Sequence, residues 1–187
     1  MDEFSYLSVL LSVIIGLAVT EILQGFRQRL LAHGSVRNYW PSRLWAATIL
    51  LVCAQTWWAM FGLRSRHDWT FEEFLVLLVQ TILLYLVAGL VFPDFATDET
   101  VDLREHYFRQ RKRFFGLLIA VALVSICRDL VFNHALPDRT NLAFHITYIV
   151  IAVSAILTAN EWYHKALALF TAAAFVNYIK ILFERLQ

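Results

Sequence analysis

The stretch Phe4–Leu23, FSYLSVLLSVIIGLAVTEIL, carries no charged side chain until Glu21. A helix rises 1.5 Å per residue, so about 20 apolar residues cross the hydrocarbon core of a bilayer. The same pattern recurs along the chain. Spans are expected over residues 4–26, 42–63, 71–92, 112–133, 141–159 and 162–183. Hydrophobic residues make up 59% of the 187 and charged residues 17%, where a soluble domain carries about 25% charged. Mean hydropathy is +0.59. The sequence therefore reads as one all-α domain over residues 1–187, a polytopic membrane protein. It is a bundle of six transmembrane helices with a cytoplasmic helical extension before the fourth.

Local signals place the boundaries. Pro41 suits the first turn of the second span. Thr70 and Glu73 have the spacing of a capping box at the start of the third, which stops at Pro93. Gly34 suits a C-terminal stop for the first helix. Leu136-Pro137-Asp138 marks a turn before the fifth span, and Asn160-Glu161 leaves so short a link that spans five and six are antiparallel neighbours. The longest polar stretch is Asp98–Arg113. Glu105 and Arg109 support a helix there at i, i+4. Arg109, Arg111, Lys112 and Arg113 meet anionic lipid headgroups at about 1 kcal/mol per basic residue.

Basic residues cluster in the 1–2 and 3–4 loops, so both termini are expected outside the cytoplasm. Acidic Met1-Asp2-Glu3 is unlike a cleavable leader. A net charge of +1 offers no field for nucleic acid. Cys53 and Cys127 sit apart inside apolar stretches and form no redox or metal motif.

Polar residues within the spans locate the chemistry, because each costs free energy unless another group satisfies it. Ser8, Ser12, Gly16 and Thr20 repeat every fourth position on the first span, as a helix–helix seam or a pore wall would. Glu21 follows near the inner end. Gln55 and Gln80, counted from the outer ends of spans two and three, lie roughly 9–12 Å below the same interface. Arg128 and Asp129, His145, Asn177 and Lys180 fall in that same leaflet. Adjacent Arg128 and Asp129 are expected to face different partners, with Lys180 opposite Asp129. Together these groups predict a polar vestibule in the outer leaflet.

No HExxH, CxxC, GxSxG or phosphate-binding glycine loop occurs. No catalytic residue, cofactor or metal is assigned. The leading expectation is a small channel- or transporter-type protein that takes a small ion or molecule. Its partners are membrane lipids and further copies of itself, and no nucleic acid. A non-catalytic interaction or sensor subunit is the second reading. A membrane enzyme acting on a lipid or hydrophobic substrate, with Asp129 and His145 as acid and base, is the third.

The strings Tyr6–Leu17 (YLSVLLSVIIGL), Tyr39–Trp45 (YWPSRLW) and Leu84–Asp94 (LYLVAGLVFPD) resemble small bacterial polytopic inner-membrane proteins of no established function. The resemblance implies a bacterial inner (plasma) membrane and carries over no functional residue.

Overall fold

A computed structural model describes residues 3–31, 36–93 and 101–182. Gly34 and the start of the Asp98–Arg113 stretch lie outside them. The described residues fold into six α-helices: α1 (Glu3–Leu31), α2 (Trp40–Met60), α3 (Phe71–Gly89), α4 (Leu103–Asn133), α5 (Arg139–Leu157) and α6 (Glu161–Leu182). A single 3-10 turn, Phe61–Leu63, prolongs α2.

The helices start where the chain supplies acceptors for their first amides. Thr70 and Glu73 close a reciprocal capping box on α3. Asp102 accepts from the Arg104 and Glu105 amides, and Asp138 from those of Thr140 and Asn141. Asn160 accepts from the Trp162 and Tyr163 amides, which turns the chain sharply from α5 into α6.

Five helices are long and apolar enough to cross a membrane: α1, α2 with its 3-10 turn, α3, α4 and α5. The sixth has the expected extent but is not among them. Glu161, His164, Lys165, Asn177 and Lys180 dilute its apolar character.

In packing, α1 lies on α3, α3 on α4, and α4 on α5; α2 packs on α6 and also touches α1, α3 and α4. The seam of α1 is not the small-residue stripe. Leu11, Ile15, Ala18, Ile22 and Gly25 turn inward instead, because a row of larger apolar side chains gains more from contact. Gly16 and Thr20 are exposed, and a methyl group at Gly16 would meet nothing within 4 Å. Close approach occurs at Gly25, where an added Cβ would fall 2.2 Å from Phe92 Cδ2.

The two ends of the bundle are fastened differently. At one, Arg66 pairs with Glu73, donates to the Phe132 carbonyl at 3.4 Å and lies 4.8 Å from the Phe132 ring centre. At the other, Arg37 and Asp102 bridge the 1–2 loop to the start of α4. Burial pushes the Asp102 carboxyl up, but the Glu105 and Arg104 amides and the Arg37 guanidinium outweigh it and hold the group below its usual value. Arg104 reaches Glu161 at 2.7 Å. His164, fully buried, donates from Nε2 to the Thr158 carbonyl at 2.8 Å and accepts from the Tyr107 hydroxyl at 2.8 Å.

From Leu103 to Arg113 the polar stretch before span four is thus the first turns of one continuous 31-residue helix. It is not a free extension: Leu103, His106 and Tyr107 are buried against the end of the bundle.

Candidate functional site

Five helices leave a gap between them. A cavity of about 120 Å³ is lined from α2 by Gln55 and Thr56, from α3 by Gln80, and from α4 by Ser125. His145 and Tyr148 on α5, and Thr171 and Tyr178 on α6, complete its polar wall; Val52, Leu84, Leu118 and Phe175 are among its apolar contacts. No Asp, Glu, Lys or Arg among the described residues lines it.

Two lining groups are unusual. Gln80 is 6% exposed and its Oε1 has no hydrogen-bond partner. Thr171 is 2% exposed and its hydroxyl also has none. Buried polar atoms in proteins are nearly always paired, and leaving one unmade costs about 1–3 kcal/mol. Both residues line the same cavity. Matched depth did bring Gln55 and Gln80 to one place, but they do not bond to each other.

His145 bridges two helices. Its Nδ1 lies 2.8 Å from the Asn141 carbonyl and its Nε2 2.9 Å from Ser125 Oγ. A carbonyl only accepts, so Nδ1–H is the donor there. In the neutral ring Nε2 then holds the lone pair, and the Ser125 hydroxyl donates to it.

Arg128 and Asp129 do not face different partners. The Arg128 guanidinium folds back to 3.3 Å from Asp129 Oδ1, because a flexible arginine stem spans the rotation between neighbours. Asp129 Oδ2 also takes the Asn141 amide at 3.5 Å, and Tyr178 donates to Asn141 Oδ1 at 3.2 Å. Asp129 therefore meets Asn141, not Lys180, and reaches His145 only through the Asn141 residue. Asn177 and Lys180 are exposed and do not line the cavity. Ser5, Ser8 and Ser12 do not line it either, so α1 supplies none of its wall.

Glu21 lies elsewhere. It is half-buried in a second pocket of about 430 Å³ with Gln24, Gln28, His106, Arg109 and Gln110. His106 donates from Nε2 to the Leu90 carbonyl at 3.0 Å. The two pockets share no lining residue. Of the basic run, Arg109, Lys112 and Arg113 are exposed and Arg111 is half-buried.

No family model matches this chain. No curated protein and no solved structure matches it either. Among the described residues, no group of three or more His, Cys, Asp or Glu side chains is placed to hold a metal ion.

Ser125 and Thr171 went unnoticed in the sequence. Ser125 stands four residues before Asp129, one helical turn away, and twenty before His145. Thr171 follows Leu167 and Ala168 on one face of α6. Hydroxyls on helices usually bond back to their own backbone, so their type alone raises no flag.

Proposed function

We propose that this chain is a multi-pass membrane protein of transporter type. Its helices, α6 included as the sixth span, enclose a binding chamber for a small neutral molecule in one leaflet. The supporting observation is that Gln80 and Thr171, each with an unpartnered buried polar atom, both line a cavity that has no Asp, Glu, Lys or Arg in its wall. Gln80 offers an acceptor and Thr171 either a donor or an acceptor. The ligand is then a compact, mainly apolar molecule with at least one N–H or O–H group. The lack of lining residues shared with the Glu21 pocket favours a carrier with one closed side over an open pore.

Both termini outside the cytoplasm, a bacterial inner membrane and a homo-oligomeric state belong to this reading, as do the headgroup contacts of Arg109, Arg111, Lys112 and Arg113. The exposed face of α1 around Gly16 is the surface it assigns to a second copy.

The test has two parts. Phenol should raise the unfolding temperature of the purified protein more than toluene does, since only phenol can donate to Gln80 Oε1. In proteoliposomes, swelling in urea, acetamide or glycerol should be faster than in protein-free liposomes for at least one solute, and slower again with Gln80→Leu. Equal responses to phenol and toluene, with no solute accelerated, would overturn the proposal.

A further inference from the structure

We propose that Ser125 and His145 form a nucleophile–base pair in the chamber and hydrolyse short, uncharged carboxylic esters there. This deepens the chamber reading above and rests on it.

Five other hydroxyls in these helices bond to their own backbone. Ser8, Thr20, Thr48, Thr81 and Ser154 each donate to a carbonyl three or four residues back, the usual local bond in a helix. Ser125 instead gives its proton to an imidazole on a neighbouring helix at 2.9 Å. The Asn141 carbonyl, 2.8 Å from Nδ1, fixes which nitrogen of that ring is basic. Hydroxyl, basic nitrogen and an acceptor behind the ring stand in the order that activates a serine. The acceptor is itself held: Asn141 lies in the first turn of α5, and its side chain is gripped by Asp129 and Tyr178. Asp129 is thus a positioning residue.

Both members of the pair line the cavity, so a bound molecule reaches the nucleophile. The mostly apolar wall strengthens each polar contact inside it. Thr171, whose hydroxyl has no partner, lines the same cavity and is the side chain this step would use as donor to a developing oxyanion.

Size and charge narrow the substrate. An engineered apolar cavity of about 150 Å³ takes benzene, so about 120 Å³ takes a molecule of roughly five or six non-hydrogen atoms. A wall without Asp, Glu, Lys or Arg offers no counter-ion and selects an uncharged one. An acetyl or propionyl ester of a small alcohol fits both limits.

The chemistry balances with water as the only co-reactant. Ser125 Oγ bonds to the ester carbonyl carbon as its proton passes to His145 Nε2. The carbon–alkoxy bond breaks, and the alkoxide leaves with that proton. Water then attacks the acyl-serine, giving one proton to Nε2. The Oγ–carbon bond breaks, Ser125 recovers the proton, and the carboxylic acid departs.

The experiment uses methanesulfonyl fluoride, a serine-reactive probe small enough for the cavity, on the full chain in detergent. Mass spectrometry should find one methanesulfonyl group, on Ser125, and none on Ser125→Ala. Labelling of His145→Gln should be slower by roughly 10²–10⁴-fold, the usual loss on removing a general base. Hydrolysis of vinyl acetate should fall with it. Labelling of the unaltered protein that misses Ser125, or labelling that ignores His145, overturns the dyad. Phenol separates the two readings. If phenol still stabilises the protein while labelling fails, only the dyad falls; if phenol fails too, the chamber falls with it.

Discussion

Replacing Gln80 by Leu tests whether the chamber is kept for a ligand at the expense of the empty protein. The side chain is almost fully buried, and its Oε1 meets no donor. An unmade hydrogen bond of this kind costs about 1–3 kcal/mol. Leucine has nearly the same volume and joins an apolar wall that already includes Val52, Leu84 and Leu118, so the exchange removes the penalty without overpacking. Gln80→Leu should therefore stabilise the empty protein by about 1–3 kcal/mol. For a chain of this size that raises the unfolding temperature by roughly 2–12 °C. Ligand response should move the other way, with phenol losing its advantage over toluene. Thermal unfolding in detergent, followed by tryptophan fluorescence with each additive, reads both effects. A lower unfolding temperature for Gln80→Leu would mean that the amide already has a partner that holds the fold together. Gln80 would then be structural, and the ligand argument would lose its main support.

Three further outcomes follow from the packing and the charges. Gly25→Ala should destabilise the α1–α3 seam by about 1–3 kcal/mol, because the new Cβ falls against the Phe92 ring; adding Phe92→Leu should recover part of the loss, as a double-mutant cycle would measure. Asp102 titrates below its unfolded value, so its contribution is complete above about pH 4 and disappears as pH falls through its folded value. Asp102→Asn should flatten that acid limb of an unfolding-temperature profile and leave the neutral range less stable. Glu73→Gln leaves Arg66 without its carboxylate. The loss should be about 1–3 kcal/mol by thermal unfolding, less than for a fully buried pair, since the Arg66 side chain is 34% exposed.

Depth along a helix was readable from sequence, and rotation about it was not. A fixed rise per residue puts Gln55 and Gln80 at one level, and they line one cavity. The same count puts Asn177 and Lys180 at that level, yet they are exposed. Their angular position depends on which face of α6 meets α2, and alanine-rich helices with scattered polar residues leave that face ambiguous. The first helix shows the same limit. Its small-residue repeat and its Leu11/Ile15/Ala18/Ile22 stripe are both regular, and only packing against α3 decided between them. Helix limits were clearer, because Thr70, Pro41, Asp138 and Asn160 act within a few residues of themselves. The Ser125–His145 contact joins residues on different helices and left no local trace.

Of the five helices around the cavity, α5 is the least enclosed: Ala152 and Ala155 are its only buried residues. Its far end runs into the Asn160 turn, where His164, Thr158, Tyr107 and the Arg104–Glu161 pair lock the chain down. A panel latched at one edge swings most at the other. The other edge is the Asp138 end, the side on which His145 sits, so a doorway between the first turns of α5 and the last turns of α6 opens only by parting Tyr178 from Asn141.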